Sequence, residues 1–359
     1  MKVFLVAGAR PNFMKIAPLY RQARNYSQIE CRIVHTGQHY DYEMSQAFFE
    51  DLELPRPHHF LDAGPGSHAE QTARIMTAFE KVCLDDRPDM VMVVGDVNST
   101  LACSIVAKKM LIEVSHVEAG LRSYDLTMPE EINRMVTDSI SDHFFVTEQS
   151  GVDNLLREGK PRERVHFVGH VMIDNLLHQS RRLDRDVSIG QEVRKLKERL
   201  GDYGFMTLHR PSNVDQKANL EEIFKAIEEI ASELPLIFPV HPRTRKMLAI
   251  HGLDLPRNVT ALEPLGFLDA LYLWRDAKVV LTDSGGLQEE TTALGVPCIT
   301  IRENTERPIT VELGTNILAG CSRDGILHAY REQMAGTKRG KIPPKWDGKA
   351  SERIWKILS

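Results

Sequence analysis

The chain has 359 residues, a hydrophobic content of 42%, a charged content of 26% and a formal net charge of −5. That length exceeds what one core usually supports, so two domains are expected. The net negative charge argues against a general nucleic-acid or membrane-surface binder, and any anionic ligand must be held by local cations.

Residues 3–7 are an unbroken apolar run that reads as a buried strand, being shorter than a signal-peptide core of about 7–15 residues. Gly8 to Asn12 form the expected turn, followed by a helix with Lys15 and with Pro18 near its first turns, where proline is tolerated. The turn fits neither GxGxxG nor the P-loop pattern, so no dinucleotide cofactor is signalled. Strand and helix then alternate: strand 32–36, helix 43–52, helix 68–84, strand 89–94, helix 98–111, strand 114–117, a helix opened by Pro129, and strand 143–147. The arginine-rich stretch 181–194 breaks the apolar rhythm and reads as a linker between domains 1–180 and 181–345. The rhythm restarts with strand 204–208, helix 220–234, strands 236–240 and 259–262, helix 267–276, and apolar runs 277–281 and 296–301. A last helix, 346–359, is expected to return to the first domain. Such alternation implies right-handed crossovers in two doubly wound parallel sheets of α/β class. No run approaches the ~20 apolar residues of a membrane-spanning helix. The five scattered cysteines, with no CxxC pair, suit a reducing, cytoplasmic compartment.

Polar clusters follow several predicted strands, at the sheet end that faces a ligand crevice. They are Arg10 and Lys15; Gln38 and His39; Gly95, Asp96 and Asn98; and His116, Glu118 and Gly120. In the second half they are His209-Arg210, His241-Pro242-Arg243, and Asp283-Ser284-Gly285-Gly286. The arrangement suggests two sheets facing across a cleft. In TDSGGLQEE, residues 282–290, the glycines are expected to take positive φ and let a phosphate approach a helix start, with Glu289 and Glu290 in that helix's first turn. Glu130 and Glu131 follow Pro129 into the positive first turn of another helix. Arg134, four residues after Glu130, is expected to pair with it, while Glu131 faces away. There is no HExxH and no Cys/His cluster, so no metal site is signalled, and no GxSxG elbow.

The segments GARPNFMK, TGQHYD, GDVNST, HVEAGLRS, MPEEINR, LHRPSN, HPRT, TDSGGLQEE and ENTERP resemble, in order and over nearly the whole chain, the non-hydrolysing UDP-N-acetylglucosamine 2-epimerases. The resemblance implies two Rossmann-like domains of glycosyltransferase-B type. It also implies a UDP-N-acetylglucosamine or related UDP-sugar substrate, no cofactor, and a homodimer. In that family UDP is eliminated to give 2-acetamidoglucal and then added back with the proton on the opposite face of C2. By motif match, Asp96, Glu118 and Glu130 would be the acid/base set and His209 would stand at the departing diphosphate. Arg10 and Lys15 would line the sugar and phosphate side, and Ser284, Gly285 and Gly286 would hold phosphate. Glu290 would take the ribose hydroxyls and Arg307 would add a cation. Leu265 stands where some relatives have glutamine on the uracil side, so only a backbone contact carries over. The loop Arg210-Pro211-Ser212-Asn213 departs from relatives with a second arginine and a glutamate, which puts allosteric activation by a second substrate in doubt. Other readings are a hydrolysing epimerase, an epimerase for a modified 2-acetamido sugar, and a non-catalytic nucleotide-sugar sensor. The three acids argue against the sensor.

Overall fold

The computed structural model describes residues 1–37, 49–188 and 190–359. The expected positions of Gln38 and His39, and most of helix 43–52, lie outside the described residues. The chain falls into two compact units, Met1–His178 with Pro344–Ser359, and Gln179–Pro343.

The first unit runs β1 (Lys2–Ala7), α1 (Arg10–Ala23), β2 (Glu30–His35), β3 (His59–Phe60), α2 (His68–Asp85), β4 (Met90–Val94), α3 (Asn98–Lys109) and β5 (Glu113–Val117). It continues with α4 (Pro129–Ile140), β6 (His143–Val146), α5 (Gln149–Arg157), β7 (Val165–Phe167) and α6 (Val171–Arg185), which crosses into the second unit. Among the described residues its sheet is parallel, seven-stranded and ordered β3-β2-β1-β4-β5-β6-β7. Strands β1 and β4 are apolar on both faces because helices cover both. Phe4, Val91 and Val93 pack in one core with Ile75 and Phe79 of α2 and Val106 of α3.

The second unit contains α7 (Gln191–Leu200), β8 (Gly204–Thr207), α8 (Pro211–Val214), α9 (Lys217–Glu233), β9 (Leu236–Pro239), α10 (Pro242–His251) and β10 (Val259–Leu262). Then come α11 (Phe267–Trp274), β11 (Val280–Thr282), α12 (Gly285–Leu294), β12 (Cys298–Thr300), α13 (Pro308–Glu312), β13 (Asn316–Leu318) and α14 (Arg323–Met334). Its described sheet has six parallel strands ordered β10-β9-β8-β11-β12-β13. The C-terminal helix α15 (Ala350–Leu358) belongs to the first unit.

In each sheet the strand order reverses once, between β1 and β4 and between β8 and β11. Ligands of open α/β sheets bind outside the carboxyl ends of strands at such a point. No helix among the described residues is long and apolar enough to cross a membrane.

Two expectations fail locally. The stretch 181–194 is mostly helical, split between α6 and α7. Its polar composition reflects exposed helix faces, with Leu183 and Val193 the buried ones among the described residues. Helix α1 begins at Arg10, so Pro11 occupies its first turn and Pro18 lies inside the helix, where it removes the donor for the Met14 carbonyl.

Candidate functional site

At the first sheet's switch point, Asn12 ties α1 to the strand ends. Its Oδ1 accepts from the N–H groups of Gly8 at 3.2 Å and Ala9 at 2.9 Å, and its Nδ2 donates to Val94 O at 3.1 Å. One turn on, the same helix face carries Lys15, which is buried and ion-paired with buried Glu118. Gly95 makes this possible: its φ is +67°, and a Cβ there would stand 2.8 Å from Lys15 Nζ. Glu118 itself has φ +72°, a conformation that costs a side-chain-bearing residue ~1–3 kcal/mol and is often found at functional sites. Arg10 is exposed at the first position of α1.

Arg134 is the second organising cation. It donates to Asp96 Oδ2 through Nε at 3.0 Å and Nη2 at 2.7 Å, and to Glu131 Oε2 through Nη1 at 2.7 Å. Asn133 fixes the same corner by donating to Asp96 O at 2.8 Å. The expected Glu130–Arg134 pair is therefore replaced by Glu131–Arg134. The reason is tertiary: the segment at Ser123 and Tyr124 folds over the start of α4, and its N–H groups each donate to Glu131 at 3.0 Å. Burial alone would raise the Glu131 pKa, but these donors, the Ser123 hydroxyl and Arg134 hold it below the usual range. Glu130 is half-buried and makes no hydrogen bond or ion pair among the described residues.

In the second unit the switch point is closed by Thr207 and Thr282, whose hydroxyls lie 2.7 Å apart across β8 and β11. Asp283, buried just beyond β11, accepts through Oδ2 from the backbone N–H groups of His209 at 2.9 Å and Arg210 at 2.7 Å. Its Oδ1 lies 2.8 Å from His209 Nδ1. Burial opposes charge on Asp283, yet the bonds from His209 and Arg210 keep its pKa below the usual range. His209 is thus held by one nitrogen, and its half-exposed ring leaves Nε2 without a partner among the described residues.

Ser284 stands at the N-cap position of α12 without a side-chain capping bond, and Gly285 and Gly286 open its first turn. Neither glycine takes the positive φ expected of it. What Gly285 provides is open space: the nearest atom to a Cβ placed there is Arg210 Nη2, at 4.0 Å. Arg210 is tethered by a 3.2 Å bond from Nε to Asp283 O. Free helix N–H groups, Arg210 and His209 together make a seat for an anion.

Glu289 and Glu290 fall in the second turn of α12 rather than the first, so neither compensates the helix dipole. Glu289 is buried and pairs with Arg307 Nε at 3.0 Å, so the Arg307 cation is matched. Glu290, crowded by protein and beside the Glu289 carboxylate, has its pKa pushed up to about 8. Leu265 lies on the loop between β10 and α11 and lines a groove of about 560 Å³ with Leu262 and the α7 residues Val193 and Leu196.

The structure therefore brings together Lys15, Gly95, Asp96, Glu118 and Arg134 in one unit, and His209, Ser284 and Gly285 in the other. Sequence reasoning missed the anchoring roles of Glu131, Asp283 and Arg210. Asp283 and Arg210 each follow a strand that flanks the switch point, which was the available signal.

Residues 21–359 match the family model of UDP-N-acetylglucosamine 2-epimerase. The UDP-N-acetylglucosamine 2-epimerase of Methanocaldococcus jannaschii is 42% identical over 100% of this chain and 99% of its own. Its crystal structure in complex with UDP-GlcNAc and UDP superposes with a TM-score of 0.86, covering 100% of this chain and 99% of that one at 41% identity. The UDP-2,3-diacetamido-2,3-dideoxy-D-glucuronate 2-epimerase of Pseudomonas aeruginosa is 38% identical over 100% of this chain and 99% of its own. The chain belongs to the UDP-N-acetylglucosamine 2-epimerase family.

Proposed function

We propose that this protein interconverts UDP-N-acetylglucosamine and UDP-N-acetylmannosamine. A carboxylate takes the C2 proton, the C1–O bond breaks to release UDP, and 2-acetamidoglucal remains. UDP then re-adds at C1 while a second acid returns a proton to the opposite face of C2. Asp96, Glu118 and Glu130 are the proton-transfer set, with Arg134 holding Asp96 and Lys15 holding Glu118. The observation that carries the reading is the anion seat at α12, where Asp283 aims His209 beside Ser284, Gly285 and Arg210. Fixed donors there stabilise the charge that develops on departing UDP. Gly286 completes the phosphate contacts, Glu290 takes the ribose hydroxyls, and the Leu265 backbone meets uracil. Arg10 and Arg307 add cations on the sugar and phosphate side.

The test is incubation with UDP-N-acetylglucosamine in deuterated water, read by NMR. The expected product is UDP-N-acetylmannosamine carrying deuterium at C2. Stoichiometric free N-acetylmannosamine, or epimerised UDP-sugar without deuterium, overturns the proposal. A second reading, a modified substrate, is favoured by the 38% identity to the 2,3-diacetamido uronate epimerase. Turnover of that UDP-sugar alone would select it. Resemblance to the family supports a homodimer, to be checked by analytical ultracentrifugation. The five free cysteines fit a cytoplasmic location.

A further inference from the structure

The end of β5 carries a histidine that none of these roles uses. His116 is wholly buried and in register with Val93 of β4. Its Nδ1 lies 2.7 Å from Asp138 Oδ1, and its Nε2 lies 2.9 Å from the Gly95 carbonyl oxygen. The carbonyl can only accept. Asp138 accepts as well: burial works against its charge, but His116 and Arg122 hold it ionised. Both bonds therefore coexist only when both ring nitrogens carry protons. The surrounding charges match such a cation. Asp138 Oδ2 lies 2.8 Å from Arg122 Nη1 and accepts from Gly120 N at 3.1 Å, while Arg122 pairs onward with Glu158 at 2.7 Å.

The bond to Gly95 falls where β4 and β5 part. Gly95 N reaches Val117 O at 3.1 Å, and Glu118 N, on the other side of β5, reaches Phe145 O of β6 at 2.9 Å. Gly95 leads directly into Asp96, and Val117 leads directly into Glu118. His116, two residues before Glu118, bonds to the carbonyl that leads into Asp96.

We propose that His116, held as the doubly protonated ring by Asp138, is a positioning residue that fixes the Gly95 carbonyl and so sets Asp96 against Glu118 for transfer of the C2 proton. The proposal rests on the epimerase reading. A neutral ring whose one proton goes to Asp138 gives up the Gly95 bond and leaves the Gly95–Asp96 corner to the bonds from Asn133 and Arg134 alone. The acids are then misplaced by a fraction of an ångström, which slows proton transfer without touching the anion seat at α12, whose residues His209, Arg210, Ser284 and Gly285 lie in the second unit.

The experiment compares wild type, His116→Asn and Asp138→Asn in the full chain. It uses UDP-N-acetylglucosamine, or the 2,3-diacetamido uronate analogue if only that is turned over, each with protium or deuterium at C2. The expected result is a 10- to 100-fold fall in kcat with UDP affinity within twofold and a larger isotope effect on kcat. A fall in kcat with an unchanged isotope effect means loss of active protein only and overturns the proposal. Nitrogen-15 NMR of the wild-type protein covers the case in which both variants fail to fold. Two protonated ring nitrogens on His116 at neutral pH support the proposal, and a bare nitrogen overturns it. If wild type turns over neither sugar, the epimerase reading falls with it; if wild type is active and the variants match it, only the role of His116 falls.

Discussion

Glu130 and Glu131 are chemically alike and adjacent, yet the fold gives them opposite tasks. Glu131 is a buried anchor, bonded to Ser123, Tyr124 and Arg134. Glu131→Gln should destabilise the first unit by ~3–5 kcal/mol, because it leaves buried Arg134 short of one partner. The stability that Glu131 contributes is present above its ordinary pKa of 4.5 and is lost as pH falls through its depressed folded value. Glu130 bonds to nothing described, so Glu130→Gln should change stability by less than ~0.5 kcal/mol while slowing epimerisation ~10²–10⁴-fold. Urea unfolding alongside NMR turnover separates the two; equal stability losses would refute the division. Glu290 runs the other way. Its pKa rises from 4.5 to about 8, so between those values the unfolded chain is ionised and the folded chain is not. Stability is therefore lost as pH rises from 4.5 to about 8 and is level above. Glu290→Gln should raise the thermal midpoint of the free protein at pH 8 and leave it unchanged near pH 4. It should also weaken UDP binding roughly tenfold, because the amide matches the ribose hydroxyls less well than the carboxyl group does. Calorimetry showing full UDP affinity in the variant would remove Glu290 from the ribose site.

The elements show where local sequence decides structure and where it does not. At the start of α12, Gly285 has helical φ and nothing nearer to a Cβ than Arg210 Nη2 at 4.0 Å. Gly285→Ala should therefore leave the fold unharmed or stabilise it by up to ~1 kcal/mol, while a methyl group at the mouth of the anion seat weakens UDP binding. Unchanged affinity would mean that the phosphate sits elsewhere. Long regular runs such as β1, β4 and α2 are legible because an unbroken apolar run or a 3.6-residue period repeats enough times to be read. The strands β3, β7 and β13 have only two or three residues each, too few for any period. The stretch 181–194 misleads for another reason: an exposed helix with one buried residue per few turns has the composition of a linker. The strand-end clusters mark the sheet ends, since each follows an apolar run. Which charges pair there is not legible: Arg134 is within helical reach of both Glu130 and Glu131, and only the fold of residues 123–124 over α4 selects Glu131, while Asp283 meets His209 only once β11 lies beside β8.

At the scale of the whole molecule, the first unit is discontinuous, and its last piece arrives only after the second unit has been made. Residues 344–359 return to it through α15, where Trp355 is fully buried and donates from Nε1 to Leu19 O at 2.8 Å. Asp174 caps the start of that helix, accepting from Ala350 N at 3.1 Å and Ser351 N at 2.7 Å. The second unit needs none of this: its sheet, its core around Phe238 and Leu281, and the anion seat from His209 to Gly285 all lie within residues 179–343. Trp355→Ala should therefore cost the first unit ~3–5 kcal/mol and leave the second intact. In the variant, turnover should fail at a temperature at which calorimetry still registers UDP binding, and the thermal unfolding trace should split into two steps. A single transition carrying both losses together would mean that the units fold as one, and that α15 secures the UDP seat as well as the acids.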